Sequence, residues 1–367
     1  QALQSSITGG IHASFKLHTS DQDSPGKLFL SISSKSLEEN FDAMEKLVFN
    51  TLENARFDEV GRIFDLFNIF IARNDESLNQ NGHILAMNSA ASSLNKLSAT
   101  AFQMSGLQML NQSKEVISKM KEVTDAAELI DILKSIHSKV LYKPFKIFTA
   151  CSPNALKEKS IAFEHIQYEA EQSLLKPANE QIAWITGSQV CYCAEAFQGV
   201  PREHPDAPAL SVLATVLRNG FLHTAIREKG GAYGAGATND TSTNTFKFFS
   251  YRDPKCAETF SAFRDSIEWS KTSISEQHLE EAILGVVSSI DKPLSPVGEA
   301  KNDFNFNLED ISTEERLEMR QKVMNCSIED LIRVSQNYLT KDSKKSILAG
   351  EAYREEAISL GLNLREV

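Results

Sequence analysis

One order of elements, a strand, then several helices, then a closing strand, runs through this chain twice, and that repetition constrains its fold more than any single motif. In the first round Leu28, Leu30 and Ile32 alternate with Phe29, Ser31 and Ser33, the two-residue period of a strand. Ser36 and Glu39 have capping-box spacing ahead of a helix with Leu37, Phe41, Met44 and Val48 on one face. Further helices are predicted over 58–73, with Val60, Ile63, Phe64, Phe67 and Ile71 as the apolar stripe, over the Ala- and Ser-rich segment 82–97, and over 126–140. A strand over 142–149 and a short helix near Asn154 close the round.

The second round reads as a strand over 182–194, a helix over 207–218, a strand over 245–251, helices over 256–269, 276–290 and 327–338, and a strand over 346–350. The expected fold class is therefore α+β: two homologous units, each a mainly antiparallel β-sheet packed against several α-helices. A chain of 367 residues also exceeds one ordinary compact core. The polar run 169–181, holding Pro177, is the expected linker between a first domain at 1–168 and a second at 182–367.

Composition excludes several functions. A formal charge of -11 argues against a nucleic-acid footprint, and an acidic wall suits a peptide partner with basic character better. No apolar run approaches the roughly 20 residues that cross a bilayer, so no membrane partner is expected. The start, QALQSSITGG, has neither a signal-peptide pattern nor an initiator methionine, which suggests a fragment or processed product. The five cysteines are odd in number and scattered, which argues against a disulfide framework. Cys191 and Cys193 face one side of a strand; as zinc ligands they would need two more partners, none of which lies nearby in sequence, so they read as buried thiols.

The segment FLHTAIREKGGAYGAGA, residues 221–237, stands apart. Its first part alternates as a helix would, Gly230 and Gly231 stop it, and 232–238 reads as a strand of small side chains interrupted by Tyr233. Taken alone this is a helix cap with solvated Arg227 and Glu228. A nucleotide loop fits poorly, because GAGATN lacks the third glycine of the dinucleotide fingerprint and runs from helix into strand. GxxxxGK[ST] and GxSxG are both absent, and the eight histidines form neither HExxH nor HxxEH; at His278, Ala282 stands where a second histidine would be needed.

Residues 204–237, together with Ser250, Tyr251, Arg252, Asp253 and Pro254, closely resemble the C-terminal half of the insulinase and pitrilysin superfamily of zinc metalloproteases, its presequence-protease branch above all. The strand SQVCYCAEA at 188–196 fits the same branch, and GGIHAS at 9–14 and SGLQML at 105–110 extend a looser similarity through the first half. The resemblance implies a clamshell of two halves enclosing a peptide chamber, with zinc held by an inverted HxxEH motif in an N-terminal half that this chain lacks.

On that resemblance the catalytic residues here are Arg227 and Tyr233, with Gly231, Ala232 and His223 contacting substrate and no metal ligand in the chain. A phenol donor would stabilise the oxyanion and an arginine fork would fix neighbouring carbonyls. Implied partners are the zinc-binding N-terminal half, fused or separate, and a peptide substrate. The chain alone is expected to be inactive. The alternative is a non-catalytic scaffold or peptide-binding subunit of the same fold, against which the retention of Arg227 and Tyr233 speaks. A bacterial cytoplasm or periplasm or an organelle matrix would fit.

Overall fold

The computed structural model describes residues 2–18, 27–119, 123–141, 145–152, 174–339 and 342–367. A short helix α1 (Ala2–Ile7) leads into strand β1 (Ile11–His18), which pairs antiparallel with β2 (Lys27–Ser34), the strand expected at 28–33. The expected capping box does not form. A 3-10 turn at Glu38–Asn40 absorbs Glu39, and α2 (Phe41–Glu53) starts after it without a side-chain cap. The helices expected over 58–73 and 82–97 are one, α3 (Val60–Ala91), because the polar run between them holds neither glycine nor proline to break it. Helices α4 (Lys96–Ser105), α5 (Leu107–Lys119) and α6 (Val123–Leu141) follow. Residues 145–152 are irregular, so the expected closing strand is not formed there, and the expected helix near Asn154 lies outside the described residues. So does 169–173 of the expected linker, while 174–181 is irregular.

In the second half the strand expected over 182–194 divides into β3 (Ile182–Thr186) and β4 (Tyr192–Gln198). A turn separates them, in which Ser188 N–H donates to Thr186 Oγ1 at 3.2 Å and Ser188 Oγ donates to Val190 O at 2.9 Å. Helix α7 (Ala207–Leu217) runs directly into a π-helical segment, Arg218–Glu228. Together they make Ala207–Glu228 long and apolar enough to cross a bilayer, contrary to the expectation from hydropathy, but the helix is half buried inside the protein and serves as its core. Strands β5 (Gly234–Asp240) and β6 (Thr245–Tyr251), helices α8 (Ala257–Ser270), α9 (Glu276–Ile290), α10 (Pro296–Leu308), α11 (Thr313–Met324) and α12 (Ile328–Tyr338), strand β7 (Lys344–Gly350), helix α13 (Arg354–Ser359) and strand β8 (Asn363–Glu366) complete the chain. Helices α1, α4, α5, α10, α11 and α13 and strands β1 and β8 were not anticipated from sequence.

The α+β class holds. The larger sheet has the order β5-β6-β4-β7-β3-β8; β5, β6, β4 and β7 are antiparallel in turn, and β3 is parallel to both β7 and β8. Strand alternation sends Cys191, Cys193 and Phe197 to one face, where Leu210, Leu213, Leu217, Phe248 and Phe263 meet them, and Tyr192, Ala194 and Ala196 to the other, against α3. Both faces are thus covered, one by helices of the second half and the other by α3, α4 and α5 of the first.

Close approach of α3 to the sheet requires its small residues. Gly82, Ala86, Ala90 and Ala91 are buried, and a Cβ at Gly82 would stand 2.7 Å from the Tyr192 ring. Several polar groups on this face are paired: Trp184 Nε1 donates to Ser89 Oγ at 2.8 Å, Ser346 Oγ lies 2.9 Å from Ser89 Oγ and donates to Ile182 O, and Tyr192 OH donates to Asn79 O at 2.7 Å. The described part of the expected linker therefore does not divide two independent cores.

Two outcomes are expected. Trp184→Ala empties a site between α3 and the sheet and should lower unfolding stability by about 3–5 kcal/mol in urea denaturation; a loss below about 1 kcal/mol would mean that the two halves do not share this core. Asp240 accepts from Lys247 Nζ at 2.6 Å across the β5–β6 hairpin. Burial alone would raise its pKa, but Lys247 and the Ser242 and Thr243 hydroxyls outweigh that and depress it to about 2. Its folded pKa lies below its unfolded one, so its contribution is present above about pH 4 and lost as pH falls through about 2. Asp240→Asn should remove on the order of 2 kcal/mol of that acid-dependent stability, read as a flatter dependence of the urea midpoint on pH.

Candidate functional site

The π-helical segment ends where the sequence places its two glycines. Lys229 N–H donates to Thr224 O at 3.0 Å, five residues back, the bonding of a π-helix. Leu222 and Ile226 are buried and fix the inner face, leaving Arg227 and Glu228 exposed outside. Gly230 has no room for a side chain, since a Cβ would come 2.4 Å from Ile226 O. Gly231 takes a left-handed φ of 87°. Gly231 N–H donates to Arg227 O and Ala232 N–H to Ile226 O, both at 3.1 Å. These amides are committed to the helix end, and Ala232 is buried, so their carbonyls are the backbone groups left to meet a ligand.

The reversal delivers Tyr233 to the sheet. Its N–H donates to Tyr251 O at 3.0 Å, and its ring meets that of Tyr251 edge-on at 5.6 Å. The side chain is nevertheless 66% exposed, and its hydroxyl has no partner among the described residues. The Arg227 guanidinium carbon lies 6.0 Å from the Tyr233 ring centroid. Arg227 Nη1 is 3.3 Å from His223 Nε2, whose Nδ1 is 3.4 Å from Glu228 Oε1. Among the described residues no carboxylate pairs with Arg227. The structure thus brings Arg227, Tyr233 and His223 together with their donors turned outward.

Beneath Tyr233 lies an aromatic floor that the sequence reading did not assign. Tyr251 contacts Tyr192 at 5.7 Å and His83 at 4.8 Å between ring centroids, and Arg252 lies over its ring at 5.4 Å. His83 comes from α3; burial lowers its pKa, and its Nδ1 has no hydrogen-bond partner. One signal for this floor was present in the sequence, because β5 sets Gly234 opposite Tyr251, and a glycine facing an aromatic marks a close approach.

Cys191 and Cys193 are the buried free thiols expected, and a third thiol joins them. Cys256, just before α8, joins Cys191 and Cys193: Sγ atoms of Cys191 and Cys193 are 3.7 Å apart, those of Cys193 and Cys256 3.8 Å, and all three lie within 4.8 Å of one another. A further partner does therefore lie nearby, brought by the turn after β6. Burial pushes the Cys193 thiol up, whereas Cys256, hydrogen-bonded by Cys191 and Cys193, is drawn down to about 5.

With this geometry in place, comparison with known proteins is informative. The family description "PreP C-terminal domain" matches residues 188–349, and a second description, for the region associated with M16 peptidases of subfamily C, matches residues 1–116. The chain is 30% identical to a mitochondrial presequence protease of Drosophila melanogaster over 353 residues, covering 92% of this chain and 33% of that protein. It is 28% identical to that of Yarrowia lipolytica, covering 93% and 35%. The chain thus spans about a third of the length of these relatives. Its fold is similar to that of a Helicobacter pylori protease (TM-score 0.58, 15% identity, 93% of this chain and 82% of that one) and of an inactive M16 peptidase domain from Pseudomonas fluorescens (TM-score 0.56, 14% identity, 92% and 81%).

The reversal can be tested by its two glycines. Gly231→Ala meets only the left-handed backbone penalty, on the order of 1–2 kcal/mol, because the nearest atom to its new Cβ is 3.6 Å away. Gly230→Ala drives a Cβ into a backbone carbonyl and should cost more. Urea denaturation of both variants checks the ranking, and the opposite order would show that the contact with Ile226 O relaxes freely.

Proposed function

We propose that this chain, a member of the presequence-protease branch of the insulinase family of peptidases, is the C-terminal half, without the catalytic zinc, of a metalloendopeptidase that degrades unstructured peptides in a closed chamber. The observation carrying this reading is the Arg227 and Tyr233 pair, side by side and with no acceptor of their own for the phenol. Hydrolysis of a peptide builds negative charge on the scissile carbonyl oxygen, which the Tyr233 hydroxyl would receive as a hydrogen-bond donor. The Arg227 fork would hold an adjacent carbonyl and fix the bond in place. His223 would orient Arg227 through its ring nitrogen.

Strand β5 supports a peptide as the ligand. It forms one edge of the sheet, directly after Tyr233, and Gly234, Ala235, Gly236 and Ala237 present little side-chain bulk, so an extended backbone could align beside it. The family's zinc does not fit at this site. Among the described residues His223 and Glu228 meet beside Arg227, but no group of three or more histidine, cysteine or carboxylate ligands gathers there, so in this reading the metal belongs to another part of the protein and this chain's role is to bind and orient. The mitochondrial relatives favour an organelle among the compartments considered.

Assays with unstructured peptides test the proposal. The chain alone, with and without added zinc, is expected to cleave nothing, and addition of a zinc-binding N-terminal half should restore turnover. In that assembly Tyr233→Phe should lower kcat by roughly 100- to 1,000-fold, and Arg227→Ala should lower kcat/KM. Zinc-dependent cleavage by the chain alone, or full activity of both variants, would overturn the assignment; peptide binding without turnover in the wild-type assembly would favour the scaffold.

A further inference from the structure

The buried thiols of Cys191, Cys193 and Cys256 take no part in the proposed peptide site, and their arrangement is specific. All three side chains are shielded from solvent. Two belong to the same face of one chain segment; the third is placed by the turn that follows β6. That turn is rigidly built: Cys191 and Asp253 exchange backbone hydrogen bonds at 2.9 and 2.8 Å, Arg252 takes a left-handed φ of 48°, and the buried Asp253 carboxylate accepts from Lys255 N–H at 2.9 Å and Thr259 Oγ1 at 2.6 Å. Cys193 N–H is held by Ser250 Oγ at 3.2 Å. Each thiol position is therefore fixed by backbone contacts that do not depend on the sulfur atoms.

We propose that this triad is a binding site for one thiophilic d10 cation, Zn(II) or Cu(I). Four ligands at the ~2.3 Å Zn–S distance of a tetrahedral site stand about 3.8 Å apart; two of the three observed separations, 3.7 and 3.8 Å, match, and the third is within 4.8 Å. A trigonal Cu(I) site has nearly the same sulfur spacing, and thiolates are the ligands that select it. The Lys255 carbonyl oxygen lies beside the triad, accepting from Cys191 Sγ at 3.0 Å and standing 3.9 Å from Cys193 Sγ. Binding is ligand exchange alone. The S–H protons leave to water as sulfur–metal bonds form, with no change of oxidation state.

The site differs in ligand type and place from any that would act on a peptide bond. Its thiolate ligands are those of structural rather than catalytic zinc sites. The ion would clamp β4 to the turn carrying Tyr251 and Arg252, the floor of the Arg227 and Tyr233 pair.

The test is metal content. The chain produced with added zinc, and separately with added copper under reducing conditions, then desalted against a mild chelator, should retain about one ion per chain by mass spectrometry; the metal retained identifies the ion. Cobalt(II) substitution should give a sulfur-to-cobalt charge-transfer band. Cys193→Ser and Cys256→Ser should each retain at least about tenfold less metal, while Cys151→Ser and Cys326→Ser, outside the triad, should retain the wild-type amount. If the serine variants fail to fold, wild-type chain decides alone: its three triad thiols should resist a thiol reagent until chelator is added under partly denaturing conditions. Wild-type chain that stays metal-free after both treatments, or that holds two of these sulfurs as a disulfide, overturns the proposal.

Discussion

Burial of β4 and β7 on both faces is the constraint from which the remaining architecture follows. A strand covered on one side can place polar residues on the other, but Tyr192, Ala194 and Ala196 are as shielded as Cys191, Cys193 and Phe197. Two apolar layers are then required, and the second half supplies one of them with α7 and the helices around it. The other must come from elsewhere, and α3 provides it only because its contact face is built of glycine, alanine and serine. Where this close contact would bury polar groups, Ser89 and Ser346 pair with Trp184 and Ile182, so the interface avoids the cost of unsatisfied donors.

The candidate site inherits its geometry from that contact. His83 and Tyr192 lie where α3 meets the sheet, and both touch Tyr251, on which Tyr233 rests. A residue of the first half therefore supports a functional side chain of the second, although more than a hundred positions of sequence separate His83 from Tyr233. The one left-handed glycine and the close-packed one before it add the reversal that turns Tyr233 out of the sheet while its backbone remains bonded to Tyr251.

Much of this was legible in the sequence where local rules decide. Strand β6 and helix α9 have the limits that periodicity assigns, because Ser275 caps α9 locally and β6 carries an aromatic at four of its seven positions. Local rules also exposed the Gly230–Gly231 stop, whereas the roles of Arg227 and Tyr233 came from the family resemblance. The single length of α3 was missed because a polar midsection resembles a loop, and polarity alone does not break a helix. Helix α11 was passed over despite its Ser312 and Glu315 capping box, since its surface is mostly charged and carries no apolar stripe. The strand at 182–194 was read whole because Gly187 and Ser188 sit between two apolar runs of equal character. Pairing of β3 with β7 and β8, contact of His83 with Tyr251, and approach of Cys256 to Cys191 are all long-range, and no spacing along the chain encodes them.

Exposure of Tyr233 and Arg227 is itself an argument about completeness. A folded chain generally satisfies its own donors, and this one does so with care around Ser89, Asp253 and Asp206, where Arg333 and Tyr338 both donate to one carboxylate. At Tyr233 it does the opposite: a large aromatic is held firmly by backbone and ring contacts, yet its polar end is left free. Holding the ring while leaving the hydroxyl to solvent keeps that donor open to an acceptor from outside the chain, as the proposed function requires. Arg227 has the same character, tied to His223 but to no carboxylate that would quench its charge. Two exposed donors, with no carboxylate beside them among the described residues and an edge strand of small residues next to them, are the features on which the proposed peptide site rests.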